Sequence, residues 1–331
     1  MHYIETESKD AAFHFSVEEY MMKTFPFDEP VMMIWQADKC VMLGNYQVAE
    51  AEIDMNYARQ AGIQIVRRSS GGGTIFTDLG TFLYTVIQPY EEGQEPGQIA
   101  QNTVAAPLVY ALNKIGVPAQ AEGRNDILAE GKKISGMAQY VRHGRICSHG
   151  SLLYDTDLEM LVRTLRADEE KIRSKALRSI RSRVTNIKEH MNTPCSTQEF
   201  GEMLKQKLFE AGQVREYSLT GHDLSEIEQI YQSRYNNPSW TFGKAPEFSF
   251  HNSKRFVGGK VEVYLNIIKG TVAACSIRGD FLGTVPIGGL EEQLTNKALQ
   301  YEVFNDALDG ISLQLYLGNI TKGELLSCIF D

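Results

Sequence analysis

The run Arg67-Arg68-Ser69-Ser70-Gly71-Gly72-Gly73-Thr74-Ile75-Phe76, entered from the apolar Ile63-Gln64-Ile65-Val66, sets two cations beside three consecutive glycines. Glycine has no Cβ, so it adopts positive φ freely and lets backbone N–H groups come close to a ligand; a concavity of such groups accepts anions. The stretch therefore predicts a bound phosphate or carboxylate. Neither common nucleotide loop is present: the chain contains no GxxxxGK[ST], and Thr74-Ile75-Phe76 follows the glycines where GxGxxG needs a further spaced glycine. Another kind of nucleotide site is required.

A second segment, Gly123-Arg124-Asn125-Asp126-Ile127-Leu128-Ala129-Glu130-Gly131-Lys132-Lys133-Ile134-Ser135-Gly136, is followed by His149-Gly150-Ser151-Leu152-Leu153. Together with the glycine run these stretches resemble the lipoate-protein ligases, whose members carry RRxSGGG, GRND, GKK-apolar-SG and HG(S/T)L in this order. The similarity begins at Glu18-Glu19-Tyr20, which matches the family's first-helix acidic pair, and reaches the terminal domain. It implies an α+β fold: a mixed-sheet catalytic domain of the biotin/lipoate-protein ligase kind, similar to class II synthetases, with a small α+β C-terminal domain.

The same resemblance implies an ATP-dependent ligase that makes lipoyl-AMP and passes the lipoyl group to a lysine of a lipoyl-domain acceptor, either a glycine-cleavage carrier protein or the acyltransferase subunit of a 2-oxoacid dehydrogenase. ATP and Mg²⁺ are the expected cofactors and lipoate the substrate. In the family the lysine before apolar-Ser-Gly touches both the lipoyl carboxyl group and the adenylate phosphate; Lys133 holds that place, and Lys132 is its neighbour. Arg68, Ser70, Gly71, Gly72, Gly73 and the backbone of Thr74, Ile75 and Phe76 are the expected ATP and lipoyl-AMP site.

Elementary chemistry supports a cation at Lys133. Joining a carboxylate to an α-phosphate brings two anions together, so catalysis is positioning and charge neutralisation more than covalent work by the protein. Arginine suits phosphate because its planar guanidinium stays charged and makes paired hydrogen bonds. Asn125 and Asp126 either bind the adenylate, with Asp126 helping to hold Mg²⁺, or form an Asx turn before the next strand. His149 has no role that adenylation requires.

Composition narrows the class. With 331 residues, 43% of them hydrophobic, the chain can bury a large core and is expected to form two unequal domains, 1–244 for lipoate and ATP and 245–331 as an accessory module. A net charge of −9 argues against a nucleic-acid partner. The N-terminus lacks basic and apolar signal regions, and no apolar run reaches the ~18 residues of a membrane span, so a cytoplasmic location without a membrane partner is expected. Cys40, Cys147, Cys195, Cys275 and Cys328 are scattered without CxxC spacing and read as free thiols.

Local patterns predict the elements. Val31–Trp35 and Val41–Leu43 read as strands. Val104, Leu108, Ala111, Leu112 and Ile115 share a helix face that Gly116 ends. Thr156 with Glu159, Ser196 with Glu199, and Thr220 with Asp223 read as capping boxes. A turn-rich passage through Gly243 and Pro246 places a boundary there, and the resemblance implies that Trp240, Gly243 and Pro246 mark the linker. Beyond them, Val261, Val263, Leu265 and Ile267 alternate with polar residues up to a Lys269-Gly270 turn, which predicts a hairpin; a helix from about Leu290 and a final apolar strand are expected to close the module.

A basic island, Lys171, Arg173, Lys175, Arg178, Arg181 and Arg183, resembles the family segment ending SxRxRVTN, and is expected either to close over the adenylate, to receive an acidic acceptor, or to form a solvated face. Thr77-Asp78, Gly80-Thr81 and Asn45 depart from the family pattern near the acyl pocket and bear on acyl and acceptor selectivity. The alternatives to a ligase are an octanoyl or lipoyl transferase working through a cysteine thioester, and a non-catalytic adenylate-binding paralogue. No cysteine precedes Lys133 where one transferase group keeps its nucleophile.

Overall fold

The computed structural model describes residues 1–26, 28–123, 125–164, 182–210, 214–243 and 248–330. Arg124, the cations from Lys171 to Arg181, and Pro246 lie outside the described residues. The chain divides into two compact units. The first comprises Met1–Met42, Ile53–Val66 and Ile75–Thr241; the second takes Leu43–Glu52, Arg67–Thr74 and the chain from Phe242 onward.

The strands are β1 (His2–Tyr3), β2 (Val31–Trp35), β3 (Cys40–Leu43), β4 (Gln64–Arg67), β5 (Ile75–Thr77), β6 (Thr81–Pro89), β7 (Ala119–Glu122), β8 (Asp126–Ala129), β9 (Lys132–Arg142), β10 (Arg145–Leu153), β11 (Arg215–Glu216), β12 (Phe250–Phe256), β13 (Gly259–Ile268) and β14 (Thr271–Gly279). In the first unit an eight-stranded sheet runs β11-β1-β2-β6-β10-β9-β8-β7. It is mixed: β1 pairs in parallel with β2 and β11, and the remaining pairs are antiparallel. A second, three-stranded sheet has the order β4-β3-β5.

One side of the large sheet carries the helices Ala106–Lys114 and Thr197–Glu210, whose Leu108, Leu112, Phe200 and Leu204 join Tyr84, Ile127, Leu152 and Tyr154 in a core. Tyr154 stacks on Phe200 with centroids 4.1 Å apart, a geometry that adds about 1 kcal/mol to what burial supplies. The helix ends after Lys114 with Gly116 at φ 88°, as its sequence predicts. Its start differs: a π-helical turn, Gln101–Ala105, precedes it.

A separate core forms between the helix Ala11–Thr24 and Met33, Trp35, Met42, Leu83 and Tyr235. His14 is fully buried there, stacked on Trp35 at 4.2 Å, with Nε2 2.9 Å from the Ser8 carbonyl. Burial pushes its pKa down to about 4, against smaller upward pulls from the Ser8 carbonyl and Asp10. The folded value is depressed, so the neutral ring's contribution is complete above pH ~6.5 and is lost as the pH falls towards 4. Going from pH 7 to pH 5 is therefore expected to remove about 2 kcal/mol of stability through this residue. Urea unfolding at the two pH values checks it; His14→Phe should flatten the dependence by that amount.

In the second unit β12, β13 and β14 form an antiparallel sheet. The predicted hairpin is present, with Lys269 and Gly270 at φ 51° and 77°, the positive values a two-residue turn demands. Val261, Val263, Leu265, Leu290, Phe304, Leu325 and Ile329 are buried together. The expected helix near Leu290 spans Gly288–Leu294. The expected terminal strand is instead a helix, Lys322–Phe330. Thr321 and Glu324 cap it reciprocally: Thr321 N–H donates to Glu324 at 2.8 Å and Glu324 N–H to Thr321 Oγ1 at 3.2 Å.

The capping boxes at Ser196/Glu199 and Thr220/Asp223 are formed. The one expected at Thr156/Glu159 is not. The helix Leu158–Thr164 is capped by Asp157, whose carboxylate accepts from the N–H groups of Glu159 and Met160, while the Thr156 hydroxyl meets Thr81 Oγ1 at 2.8 Å.

Candidate active site

Lys133 lies near the start of β9, opposite β8. A regular strand sends residues three apart to opposite faces. Here Asp126 pairs with Gly136 and Ile127 with Ser135, but Leu128 pairs with Lys133, so the fully buried Ile134 is an extra residue. This bulge turns Lys133 onto the face of Gly136 and Asp126. Its ammonium lies 2.7 Å from Asp126 Oδ1. Oδ1 is buried and receives no well-aligned hydrogen bond, so the contact is a charge pairing.

Gly136 is required by this path. A Cβ there would stand 2.8 Å from both Cε and Nζ of Lys133. Gly150 clears space on the neighbouring strand, where a Cβ would strike the Tyr84 hydroxyl and the Gly136 carbonyl. Tyr84, with its OH 3.2 Å from Ser135 Oγ, lines a small pocket together with Gln101, Asn125, Asp126 and Met137. The Asn125 carbonyl accepts from Met137 N–H at 2.8 Å, which fastens the approach to β8. Asn125, Asp126 and Lys133 are thus brought together; Tyr84 and Ser135 were not singled out by sequence, because only strand register places them here.

The glycine run occupies the second unit up to Thr74, while Ile75 and Phe76 begin β5 in the first. Both arginines are buried. Arg67 Nη1 donates to the carbonyls of Gly44 and Gln47, at 2.8 and 2.6 Å. Arg68 donates to Ser70 Oγ at 3.1 Å and to the carbonyls of Gly71 and Gly73, each at 2.8 Å. In a trans peptide the C=O and the following N–H point oppositely. The N–H groups of Gly72 and Thr74 are therefore turned away from Arg68.

Gly72 sits at φ 91°, and its N–H donates to the Phe281 carbonyl at 3.0 Å. Tyr46 stacks on Phe281 with centroids 5.2 Å apart. The glycines thus serve close backbone approach within this unit as well: a Cβ on Gly71 would lie 2.5 Å from the Phe281 carbonyl oxygen. Of the departures from the family pattern, Asn45 donates its N–H to the Ser70 carbonyl at 2.8 Å. Asp78 caps its own turn through the Gly80 N–H at 2.9 Å, and Thr77 is fully buried with Oγ1 unpaired.

The acidic pair of the first helix is fully engaged. Glu18 accepts from Thr85 at 3.1 Å, Tyr140 at 3.1 Å and His149 Nδ1 at 2.8 Å; Glu19 meets Arg234, Lys23 and Tyr235. A buried carboxylate needs such donors. Glu18, Cys147 and His149 bring potential metal ligands within 4.8 Å of one another, yet the Glu18 oxygens already hold protons of the three donors. Burial, then the Glu18 charge, pushes the Cys147 thiol and the Tyr140 hydroxyl far up. His149 is a fastener of the fold.

The catalytic-domain model of lipoyl protein ligases A and B matches residues 10–209, and that of the bacterial lipoate protein ligase C-terminus matches residues 245–329. The chain belongs to the lipoate-protein ligase family. Lipoate-protein ligase LplJ of Bacillus subtilis (strain 168) is 36% identical to it over 324 residues, 97% of each chain. Among solved structures, a bi-partite lipoate protein ligase from Thermoplasma acidophilum, described with its E2 lipoyl domain, is 26% identical with a TM-score of 0.67, covering 75% of this chain and 98% of its own. A lipoate-protein ligase A bound with ATP is 25% identical with a TM-score of 0.63, covering 73% of this chain and 98% of its own. The α+β fold, with a mixed-sheet domain and a small C-terminal domain, is that of this family.

Proposed function

We propose that this ligase activates lipoate with ATP and transfers the lipoyl group to a lysine of a lipoyl-domain acceptor. A lipoate carboxylate oxygen attacks the α-phosphorus, the bond to the β-phosphate breaks, and pyrophosphate leaves; the acceptor's amine then attacks the acyl carbonyl and AMP leaves. The observation that carries the reading is the Lys133 ammonium, led by the β9 bulge across Gly136 onto Asp126. A cation held on one face by a single carboxylate can turn to the two anions that must meet.

In this reading Lys133 bridges the lipoate carboxylate and the α-phosphate. Arg68, Ser70, Gly71, Gly72, Gly73, Thr74, Ile75, Phe76, Asn125 and Asp126 bind ATP and the adenylate. Arg68 shapes the loop by holding the Gly71 and Gly73 carbonyls. Were Mg²⁺ bound with ATP, Asp126 would offer it a carboxylate ligand, and the ion would help neutralise the phosphate charge. We assign residues 1–244 to the catalytic domain and 245–331 to the accessory domain, a reading supported by family-model matches at 10–209 and 245–329, although Leu43–Glu52 and Arg67–Thr74 group with the later residues in the second compact unit. The acceptor is a glycine-cleavage carrier protein or an acyltransferase subunit, and the archaeal ligase described with its E2 lipoyl domain supports that class.

The protein works in the cytoplasm, a reading supported by its five free thiols; no described helix is long and apolar enough to cross a membrane. Lipoate-dependent exchange of pyrophosphate into ATP tests the activation step, and a protein that folds but shows no exchange with lipoate would refute it.

Three of the five thiols are poorly suited to a thioester route. Cys40 and Cys147 are fully buried, and burial pushes both thiols up; Cys275 is pushed up to about 12, also by burial first and then by Glu291. Thiols so disfavoured as thiolates are poor nucleophiles. Replacing all five cysteines by Ser or Ala is expected to leave ATP-dependent lipoylation in place in the variant that folds. An acyl-thioester trapped on the parent, with loss on changing Cys147 alone, would point to the transferase route.

A further inference from the structure

The backbone of Lys133 is held by a stretch that lies far from it in sequence. β10 pairs with β9 only as far as Leu152 opposite Ser135. Beyond that point Arg183-Val184-Thr185 takes over the place beside β9: Lys133 N–H donates to the Arg183 carbonyl at 2.8 Å, Thr185 N–H donates to the Lys133 carbonyl at 3.0 Å, and Val184 pairs with Lys133 in parallel. With Leu128 across from it on β8, Lys133 is flanked on both sides.

A three-residue bridge does not hold itself in place. The next residue, Asn186, fastens it. The Asn186 side-chain carbonyl accepts from Thr156 N–H at 3.1 Å, and its amide donates to the Thr156 carbonyl at 3.0 Å, so one side chain closes both hydrogen-bonding groups of a single residue. Thr156 is itself fixed. Its hydroxyl meets Thr81 at 2.8 Å, the Gly80 carbonyl accepts from Tyr154 and Asp155, and Asp78 accepts from Asp157 N–H at 2.9 Å. A second fastening runs from Thr185 Oγ1 to His190 Nε2 at 3.1 Å, and from His190 Nδ1 to Glu130 at 3.1 Å in the turn before β9.

We propose that Asn186 is a positioning residue for Lys133: through Thr156 it anchors the Arg183–Thr185 bridge that sets where the Lys133 ammonium stands. The proposal rests on the reading that Lys133 neutralises the carboxylate and the α-phosphate. Ångström-scale misplacement of a catalytic group costs up to about 10²-fold, so slack in this bridge should be felt at the ligand and not only in stability. It also gives the Thr81 departure a place, as the hydroxyl that braces Thr156.

The test is a double-mutant cycle on the full chain, reading the affinity for a non-hydrolysable lipoyl-sulfamoyl adenosine by calorimetry, with thermal unfolding to confirm the fold. Asn186→Ala is expected to weaken binding about tenfold in the native background and less than about twofold in the Lys133→Ala background, because a residue that acts through Lys133 has nothing left to act on. Equal losses in the two backgrounds would overturn the proposal. The reading of Lys133 fails separately, if Lys133→Ala by itself binds the analogue as tightly as the parent. Should Asn186→Ala not fold, Asn186→Asp enters the same cycle: it keeps the bond from Thr156 N–H and sets a carboxylate oxygen against the Thr156 carbonyl, and its loss must likewise vanish without Lys133.

Discussion

Lys133→Ala is expected to lower lipoate-dependent pyrophosphate exchange by about 10²- to 10³-fold, the scale on which a single charge-stabilising donor acts in a transition state. The fold should persist, since the Lys133 side chain is about a third exposed and its partner Asp126 is similarly open to solvent. Lys132→Ala is the internal control. Lys132 is exposed at the start of β9, and its loss should change the rate by no more than about threefold, as surface substitutions do. Comparable losses in the two variants, or full exchange in Lys133→Ala, would remove Lys133 from its assigned role.

Gly136→Ala is expected to cost activity without unfolding the protein, by about 10²-fold. The added methyl would press on Cε and Nζ of Lys133, both at 2.8 Å. These atoms are the far end of a flexible side chain, so the strain is relieved by moving the ammonium and not the backbone. A displaced ammonium no longer stands where carboxylate and phosphate meet, and displacements of this size carry losses of that order. Exchange rates beside thermal unfolding check it: an unchanged melting temperature with a reduced rate is the expected pair, whereas a native rate would show that Lys133 does not work from this position.

The sequence makes these residues legible to different depths, and the reason is the range of the signal. Ser196 with Glu199 and Thr220 with Asp223 cap their helices as read, because a capping box is complete within four residues. The Lys269-Gly270 hairpin was equally local. Where two local signals compete, the outcome is harder to read from sequence: Leu325–Phe330 is a short apolar run with no decisive period, and the Thr321/Glu324 box makes it helical. At Thr156 the motif was present but the hydroxyl had a better partner in Thr81, 75 residues earlier.

Motifs named Lys133, Asn125 and Asp126, yet no motif could show how they meet. Their contact depends on one extra residue, Ile134, in β9, and a bulge shifts which face a side chain takes without leaving a mark in composition. The Arg183–Thr185 bridge and the hydrogen bond from Gly72 to Phe281 are longer-range still; both join segments far apart in the chain through backbone groups, which carry no residue identity.

ATP-driven attachment of lipoate to a protein lysine can be read from the intact mass of an apo lipoyl domain incubated with the purified chain, lipoate and Mg²⁺, with and without ATP. The acceptor is expected to gain the mass of one lipoyl group only when ATP is present, and replacing its target lysine by arginine should abolish the gain. An acceptor that gains this mass without ATP, or stays unmodified with every component present, would contradict ATP-driven attachment.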